Sequence, residues 1–186
     1  MRKLKIATMV SARFFTPPPK GTIFAPMLIA KEISEGLTKK GHEITFFAPE
    51  GSNLKAVKVI SGGLKPLYHS VNKKPEIFKY PSIKRKDKIE IADLWNQYLV
   101  SLLYRNNLKK KFDIIHIHLK AEFALPISCL SKTPTVFTFH DPVYPWRAKI
   151  LKLFQAKNQH FISISNAQRK SAPELNWAAT IYNGLR

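Results

Sequence analysis

Two histidine-containing segments carry residues whose types and spacing suit chemistry. His116 and His118 are separated by one residue within an apolar run, so their side chains share one face of a strand. His140 ends another apolar run and is followed directly by Asp141. A histidine in such a place can act as an acid, a base or a hydrogen-bond donor to a substrate hydroxyl. The same residues also permit a metal site made of His118, His140 and Asp141.

These histidines are expected to differ in role. His116 lies deeper in its strand, which favours a packed, hydrogen-bonded core residue. His118 stands at the strand end and is the better candidate for function. His140 can serve the chemistry or simply cap or anchor a loop. Phosphate chemistry explains the same placement without a metal, so we expect no metal ion.

A proline-rich loop, Pro17–Gly21, forms another candidate site. Its prolines stiffen the chain, and Gly21 lets the backbone turn sharply or approach a ligand closely. The loop leads into a predicted helix, whose free N–H groups and dipole favour a phosphate. It has neither the G-x-G-x-x-G nor the P-loop pattern, so an ordinary turn glycine explains it equally well. Nearby aromatic residues either stack on a sugar or base or simply pack: Phe14, Phe15, Tyr144 and Trp146.

Strand and helix patterns alternate along the chain and must position these residues. Strands are predicted at 4–10, 44–48, 56–60, 113–118, 135–140, 161–164 and 178–182. Helices are predicted at 26–40, 87–111, 122–130 (interrupted at Pro126), 146–157 and 165–169. The longest helix is expected to bury one stripe: Ile91, Leu94, Trp95, Tyr98, Leu99, Leu102 and Leu103. In the first helix, Leu28, Ile29, Ile33 and Leu37 recur at helical spacing. The alternation predicts an α/β fold, a Rossmann-like parallel sheet with helices on both faces.

The strand order decides where a ligand binds. Open parallel sheets bind ligands outside the carboxyl ends of their strands, where the strand order reverses. With the common order 3-2-1-4-5, this crevice lies between the first and fourth strands. The order therefore brings together Gly21, His118, His140 and Asp141.

Composition limits the class of protein. The 186 residues predict one domain, 1–186, and the net charge of +19 makes a polyanionic partner plausible. Basic runs at Lys84–Lys88 and Lys109–Lys111 flank the longest predicted helix, although a solvated lysine-rich surface explains them as well. Without a zinc-finger or RNP-like pattern, dedicated nucleic-acid binding is a minor alternative. A single cysteine, Cys129, fits a reducing compartment, and no apolar stretch is long enough to span a bilayer, so a cytoplasmic location is expected.

Several short motifs follow one another in a familiar order. They are Lys5–Ala7 with the loop to Gly21, Lys40–Ala48, Phe112–His118, Thr133–Asp141, Ile164–Arg169 and Ile181–Leu185. In this order the sequence resembles the N-terminal domain of GT-B glycosyltransferases of glycosyltransferase family 4, the retaining, glycogen-synthase-like group.

The resemblance implies the N-terminal half of a GT-B fold in a hexosyltransferase-type enzyme. Its partners would be a nucleotide-sugar donor and a sugar or lipid-linked acceptor, with the nucleotide sugar as co-substrate and no further cofactor. This half would chiefly bind the acceptor. Carried over by position, the site residues are His118 and His140 for catalysis, Lys20, Gly21 and Asn183 for the donor, and Asp141 and Arg169 for the substrate.

The sequence departs from the family pattern in two places. The family's "GG-x-E" loop corresponds here to Lys20-Gly21-Thr22-Ile23-Phe24, and the donor-side "E-x7-E" carboxylates are absent. We therefore expect an acceptor-binding half that is inactive without a C-terminal donor domain or a partner chain that supplies one. Its basic runs also allow peripheral contact with the inner face of an anionic membrane. The alternative is a non-catalytic Rossmann-like domain that binds nucleotides or nucleic acid.

Overall fold

The computed structural model describes residues 2–70, 75–118 and 121–184, and the last motif residue, Leu185, lies outside them. Seven strands within these residues form one all-parallel sheet in the order β3-β2-β1-β4-β5-β6-β7. The strands are β1 (Lys5–Met9), β2 (Glu43–Phe47), β3 (Lys58–Ile60), β4 (Ile114–Ile117), β5 (Thr135–Thr138), β6 (Gln159–Ser163) and β7 (Trp177–Thr180). The predicted order of the first five strands is confirmed.

Helices occur in the predicted intervals between strands. They are α1 (Ala25–Lys39), α2 (Arg85–Lys110), α3 (Leu125–Ser128), α4 (Pro145–Leu153) and α5 (Asn166–Lys170), with short 3-10 turns at Glu76–Lys79 and Ala121–Phe123. Proline lies in the first turn of α1, α3 and α4, where its missing N–H costs no helical hydrogen bond. The segment predicted as a helix at 122–130 is interrupted, but the break falls at Ala124, because Pro126 lies in the first turn of α3.

The helices cover both faces of the sheet. On one face, α1 contributes Met27 and Ala30 to a cluster with Val10 and Phe46. On the other face, α2, α3 and α4 pack against the sequence neighbours of Val10 and Phe46, including Met9 and Phe47. Successive strand residues point to opposite faces, so β1 and β2 are buried on both faces after their first residue, whereas the edge strands β3 and β7 are only partly covered. The predicted α/β, Rossmann-like class is confirmed.

The apolar stripes predicted for the two longest helices are partly wrong. In α2, Leu94 is 58% exposed and Tyr98 38% exposed, whereas Asn96 and Asn107 are buried. The asparagines can be buried because their side-chain oxygens accept hydrogen bonds from backbone N–H groups of neighbouring loops.

The same correction applies to α1. Leu28 and Ile33 are exposed to solvent, and the buried residues are Met27, Ala30 and Ser34. Ser34 satisfies its hydroxyl within the helix, by donating to the carbonyl oxygen of Ala30 at 2.7 Å. Small and polar residues thus form part of the packed face of both helices.

The chain reverses its direction across the sheet at β1. From β1 it moves through α1 to β2 on one side, and from β3 it returns through α2 to β4 on the other. The two connections leave a crevice beyond the carboxyl ends of β1 and β4.

No helix among the described residues is long and apolar enough to cross a membrane.

Candidate functional site

A cleft of about 610 Å³ occupies this crevice. The ends of β1, β4 and β5 contribute Val10, His118 and His140. The walls come from the first residues of α1, from α2 and from the start of α4. The site therefore combines residues that are far apart along the chain.

His118 lies at the bottom of the cleft and is 3% exposed. Its Nδ1 atom is 3.1 Å from Nε2 of His140, and the two rings are nearly parallel, with centroids 5.4 Å apart. The other ring nitrogen, Nε2 of His118, is buried without a hydrogen-bond partner. A buried polar atom of this kind costs free energy unless a ligand or water satisfies it. Among the residues that line the cleft, it is the buried side-chain polar atom left without a partner.

His116, two residues before His118, packs its ring against that of His118. Its Nε2 atom is 2.8 Å from Oγ1 of Thr138, and its ring centroid is 4.0 Å from that of His118. This is the packed, hydrogen-bonded position that the sequence predicts for His116. The contact fixes the orientation of the neighbouring ring.

All three histidines are held in the neutral form. Burial, with a smaller contribution from His140, lowers the pKa of His116 to about 4. Burial, with smaller contributions from His116 and His140, places the pKa of His118 well below its usual value. Burial also lowers the pKa of His140, against the opposing effect of Asp141. Near neutral pH the cluster thus offers hydrogen-bonding nitrogens and no positive charge.

Loop residues beyond β1 and β5 are tied down by buried amides. The side-chain oxygen of Asn96 accepts a hydrogen bond from the N–H of Ala12 at 2.9 Å. The side-chain amide of Gln168 donates to the carbonyl oxygen of Asp141 at 2.9 Å, which fixes the segment next to His140. These hydrogen bonds fix the loop backbone next to the cleft.

An ion pair between a buried arginine and a partly exposed glutamate forms another wall. Arg147 is 6% exposed, and its guanidinium group contacts both carboxylate oxygens of Glu122, with Nη2 and Oε2 3.1 Å apart. Nη1 donates to the carbonyl oxygen of Pro142 at 3.1 Å, and the guanidinium lies 5.2 Å from the centre of the Phe139 ring. The pair joins the loop after β4 to the first turn of α4.

Sequence reasoning did not find four of these cleft residues: Asp93, Asn96, Glu122 and Arg147. They belong to helical or turn segments, where a polar residue is expected to face solvent. Asn96 carried one usable signal, because it falls at helical spacing between Ala92 and Val100, both of which are buried.

The structure brings together three of the predicted site residues and leaves four outside the cleft lining. His118, His140 and Asp141 line the cleft. Lys20 and Gly21 are exposed in a turn four residues before α1, with Gly21 at φ +83°. Asn183 is exposed beyond β7, and Arg169 lies beside β7, with Nη1 3.4 Å from Oγ1 of Thr180. Their roles stay predictions.

The aromatic residues also divide into two groups. Phe14 packs against Tyr68, with centroids 5.4 Å apart, and joins the apolar cluster on the α1 face. Tyr144 and Trp146 line the cleft with most of their surface exposed.

Among residues 2–70, 75–118 and 121–184, no three histidine, cysteine, aspartate or glutamate side chains are grouped as a metal site would require. One nitrogen of each ring in the His118–His140 pair is engaged by the other. Whether the protein uses a metal stays a prediction of the sequence.

Comparison with protein families identifies this architecture. The family model described as Glycosyltransferase Family 4 matches residues 29–185. The chain belongs to glycosyltransferase family 4. Its parallel sheet is that of a GT-B N-terminal domain, as the resemblance implied, and membership supports glycosyltransferase-type chemistry on a sugar donor and an acceptor.

The matched residues run from within α1 to beyond β7 and include most of the cleft residues, but not those at the start of α1. The loop with Lys20 and Gly21 lies before them, so the family match says nothing about its role. No curated protein matches this family 4 chain significantly. The domain limits and the position of a donor-binding half stay predictions.

Proposed function

We propose that this family 4 chain is the acceptor-binding half of a retaining hexosyltransferase. It would hold an acceptor in the cleft while a sugar is transferred from a nucleotide-sugar donor bound by a facing donor half. The observation that carries this proposal is the buried, unpartnered Nε2 atom of His118 at the carboxyl ends of the strands.

His118 would bind a hydroxyl group of the reacting sugar. Its lowered pKa keeps the ring neutral, so one nitrogen donates and the other accepts. If His140 donates to Nδ1 of His118, Nε2 of His118 carries the proton and donates to the sugar. With the opposite arrangement, Nε2 accepts. His140 therefore sets the tautomer, and His116 holds the ring in place.

The donor diphosphate would gain negative charge as the sugar departs. Stabilising that charge with fixed dipoles and cations is the main task of such a site. The N-terminus of the 15-residue α1 helix faces the cleft through Phe24, Ala25 and Pro26, and it favours an anion. We propose that Lys20, Gly21 and Asn183 reach the donor when the donor half is in place, and that no metal is needed.

The two basic runs lie at opposite ends of α2. Lys84–Lys88 lies at the cleft end, whereas Lys110 lies near Lys5 and Lys58 at the amino ends of the strands. A helix of 26 residues separates them by about 39 Å. Only the first run can contact an anionic membrane while the cleft receives a lipid-linked acceptor. Equal binding to anionic and neutral vesicles at low salt would remove this membrane contact.

The experiment is donor turnover. Release of nucleoside diphosphate from a panel of nucleotide sugars is measured for the chain alone and joined to a family 4 donor half. We expect turnover in the joined enzyme and a fall of about 100-fold for His118→Ala, within the range for one polar transition-state contact. His69→Ala, at an exposed ring, is the control. Undiminished turnover in His118→Ala contradicts the assigned role, and no turnover with any donor contradicts the transferase.

A further inference from the structure

Two aromatic side chains at the start of α4 line the cleft and are largely exposed. Tyr144 is 54% exposed and Trp146 is 62% exposed. Their planes are 13° from parallel, with centroids 6.5 Å apart, which is too far for the rings to be in tight face-to-face contact. Large aromatic surface in a cleft is therefore left for another molecule to cover.

The backbone that carries these rings is rigid. Tyr144 is the residue before the first turn of α4, and its carbonyl oxygen accepts a hydrogen bond from the N–H of Ala148 at 2.9 Å. Val143 on one side is 1% exposed, and its carbonyl oxygen accepts a hydrogen bond from Ser171. Arg147 on the other side is anchored by its ion pair with Glu122. The backbone that carries the two rings is thus anchored on both sides.

The charge of the cleft differs from that of the whole chain. Although the chain carries a net charge of +19, the charged side chains among the described cleft residues are two arginines and three carboxylates. They are Arg13, Arg147, Asp93, Glu122 and Asp141. The charge of Arg147 is already balanced by Glu122, and burial keeps His118 and His140 neutral. The side chains of this lining therefore carry no net positive charge, and the N-terminus of α1 is the feature of the cleft that favours an anion.

We infer that Tyr144 and Trp146 form a stacking subsite for an uncharged pyranose ring of the acceptor. The inference rests on the proposed function and adds the chemical class of the acceptor. Aromatic faces bind the C–H face of a sugar ring, and carboxylate oxygens such as those of Asp93 and Asp141 accept hydrogen bonds from its hydroxyl groups. The acceptor is thus a neutral glycan or the neutral glycan end of a larger molecule.

Two other occupants fit the observations less well. An anionic lipid surface would be repelled by the carboxylates that line the same cleft. A nucleobase of the donor would stack equally well on aromatic rings, but it brings a diphosphate into a lining with more carboxylates than cations. Both occupants are outcomes of the following test.

The test measures binding to the purified chain by calorimetry and saturation-transfer NMR. The probes are neutral disaccharides (cellobiose, lactose, maltose and mannobiose), a uronic-acid disaccharide, UDP and GDP, and phosphatidylglycerol vesicles. Trp146→Ala and Tyr144→Ala remove one ring each, and Trp146→Phe keeps an aromatic face. Leu153→Ala is the matched control, because this side chain is 81% exposed on the same helix and does not line the cleft.

We expect at least one neutral disaccharide to bind, with an affinity lowered about tenfold or more by Trp146→Ala and by Tyr144→Ala. Trp146→Phe should retain most of the affinity, and Leu153→Ala all of it. The subsite is wrong if no neutral probe binds. It is also wrong if UDP or GDP shows the dependence on Trp146, or if vesicle binding falls in Trp146→Ala but not in Leu153→Ala.

The outcome can be separated from that of the transferase itself. If the joined enzyme turns over donor while Trp146→Ala leaves its acceptor KM unchanged, the subsite fails and the proposed function stands. If a disaccharide binds through Trp146 but no donor is consumed, the cleft binds carbohydrate and the transferase proposal fails.

Discussion

Acid should destabilise the fold through the histidine cluster, and His116 allows the size of the effect to be worked out. Its ring packs on His118 and bonds Thr138, and burial lowers its pKa from 6.5 to about 4. Between these two pH values the unfolded chain binds a proton that the folded chain does not. Stability is therefore complete above pH 6.5 and is lost as the pH falls towards 4.

The expected loss follows from the two pKa values. A shift of this size corresponds to roughly 3 kcal/mol once the pH is below both values, and to roughly 2 kcal/mol at pH 5. The pKa values of His118 and His140 are lowered as well, so their contributions have the same sign. The whole chain should lose more than His116 alone accounts for.

Urea unfolding at pH 7.5 and pH 5.0 measures this loss. His116→Gln removes the titrating ring while its amide can still bond Thr138, so this variant should lose roughly 2 kcal/mol less than the wild type between the two pH values. His69→Gln, at an exposed ring, should lose as much as the wild type. If wild type and His116→Gln lose the same free energy within about 0.5 kcal/mol, the buried-histidine argument is refuted.

Three substitutions test the packing around the cleft by urea unfolding. Arg147→Met removes the buried partner of an ion pair and should cost about 2–4 kcal/mol, somewhat reduced because the remaining carboxylate is 31% exposed. Asn96→Leu leaves the N–H of Ala12 without its acceptor and should cost about 1–3 kcal/mol. Gly62→Ala should cost about 1–3 kcal/mol, because the residue has φ +60° and a Cβ would lie 2.8 Å from Leu102.

Each of these substitutions has a matched control. Lys149→Ala and Gln97→Leu alter exposed positions on the same helices and should change stability by less than about 0.5 kcal/mol. Gly63→Ala has the same backbone strain at φ +79° but no atom within 4 Å of the new Cβ. A cost for Gly62→Ala no larger than that for Gly63→Ala would show that the close approach to α2 is unimportant.

Much of the fold follows from local pattern. The continuous apolar runs of β1 and β2 and the alternation in β4 identify strands buried on both faces, and the intervening helices require a parallel sheet. The reversal at β1 then places His118 and His140 together, as the sequence predicts. The family match over residues 29–185 agrees with motifs read from the sequence.

The walls of the cleft did not follow from local pattern. Asn96 and Arg147 are polar residues on helices, and their burial depends on partners 84 and 25 residues away. The same dependence explains the errors in the buried faces of α1 and α2, where small and polar side chains replace the expected leucines and isoleucines.

The sequence by itself determined the sheet, its crevice and the histidines at its edge, because period-two burial and short connections are properties of neighbouring residues. Only the tertiary structure decided which nitrogen of His118 lacks a partner and which aromatic rings stay exposed. It also decided that a chain of charge +19 presents more carboxylates than arginines among its described cleft residues. Those properties depend on the distances between elements, and only packing sets them.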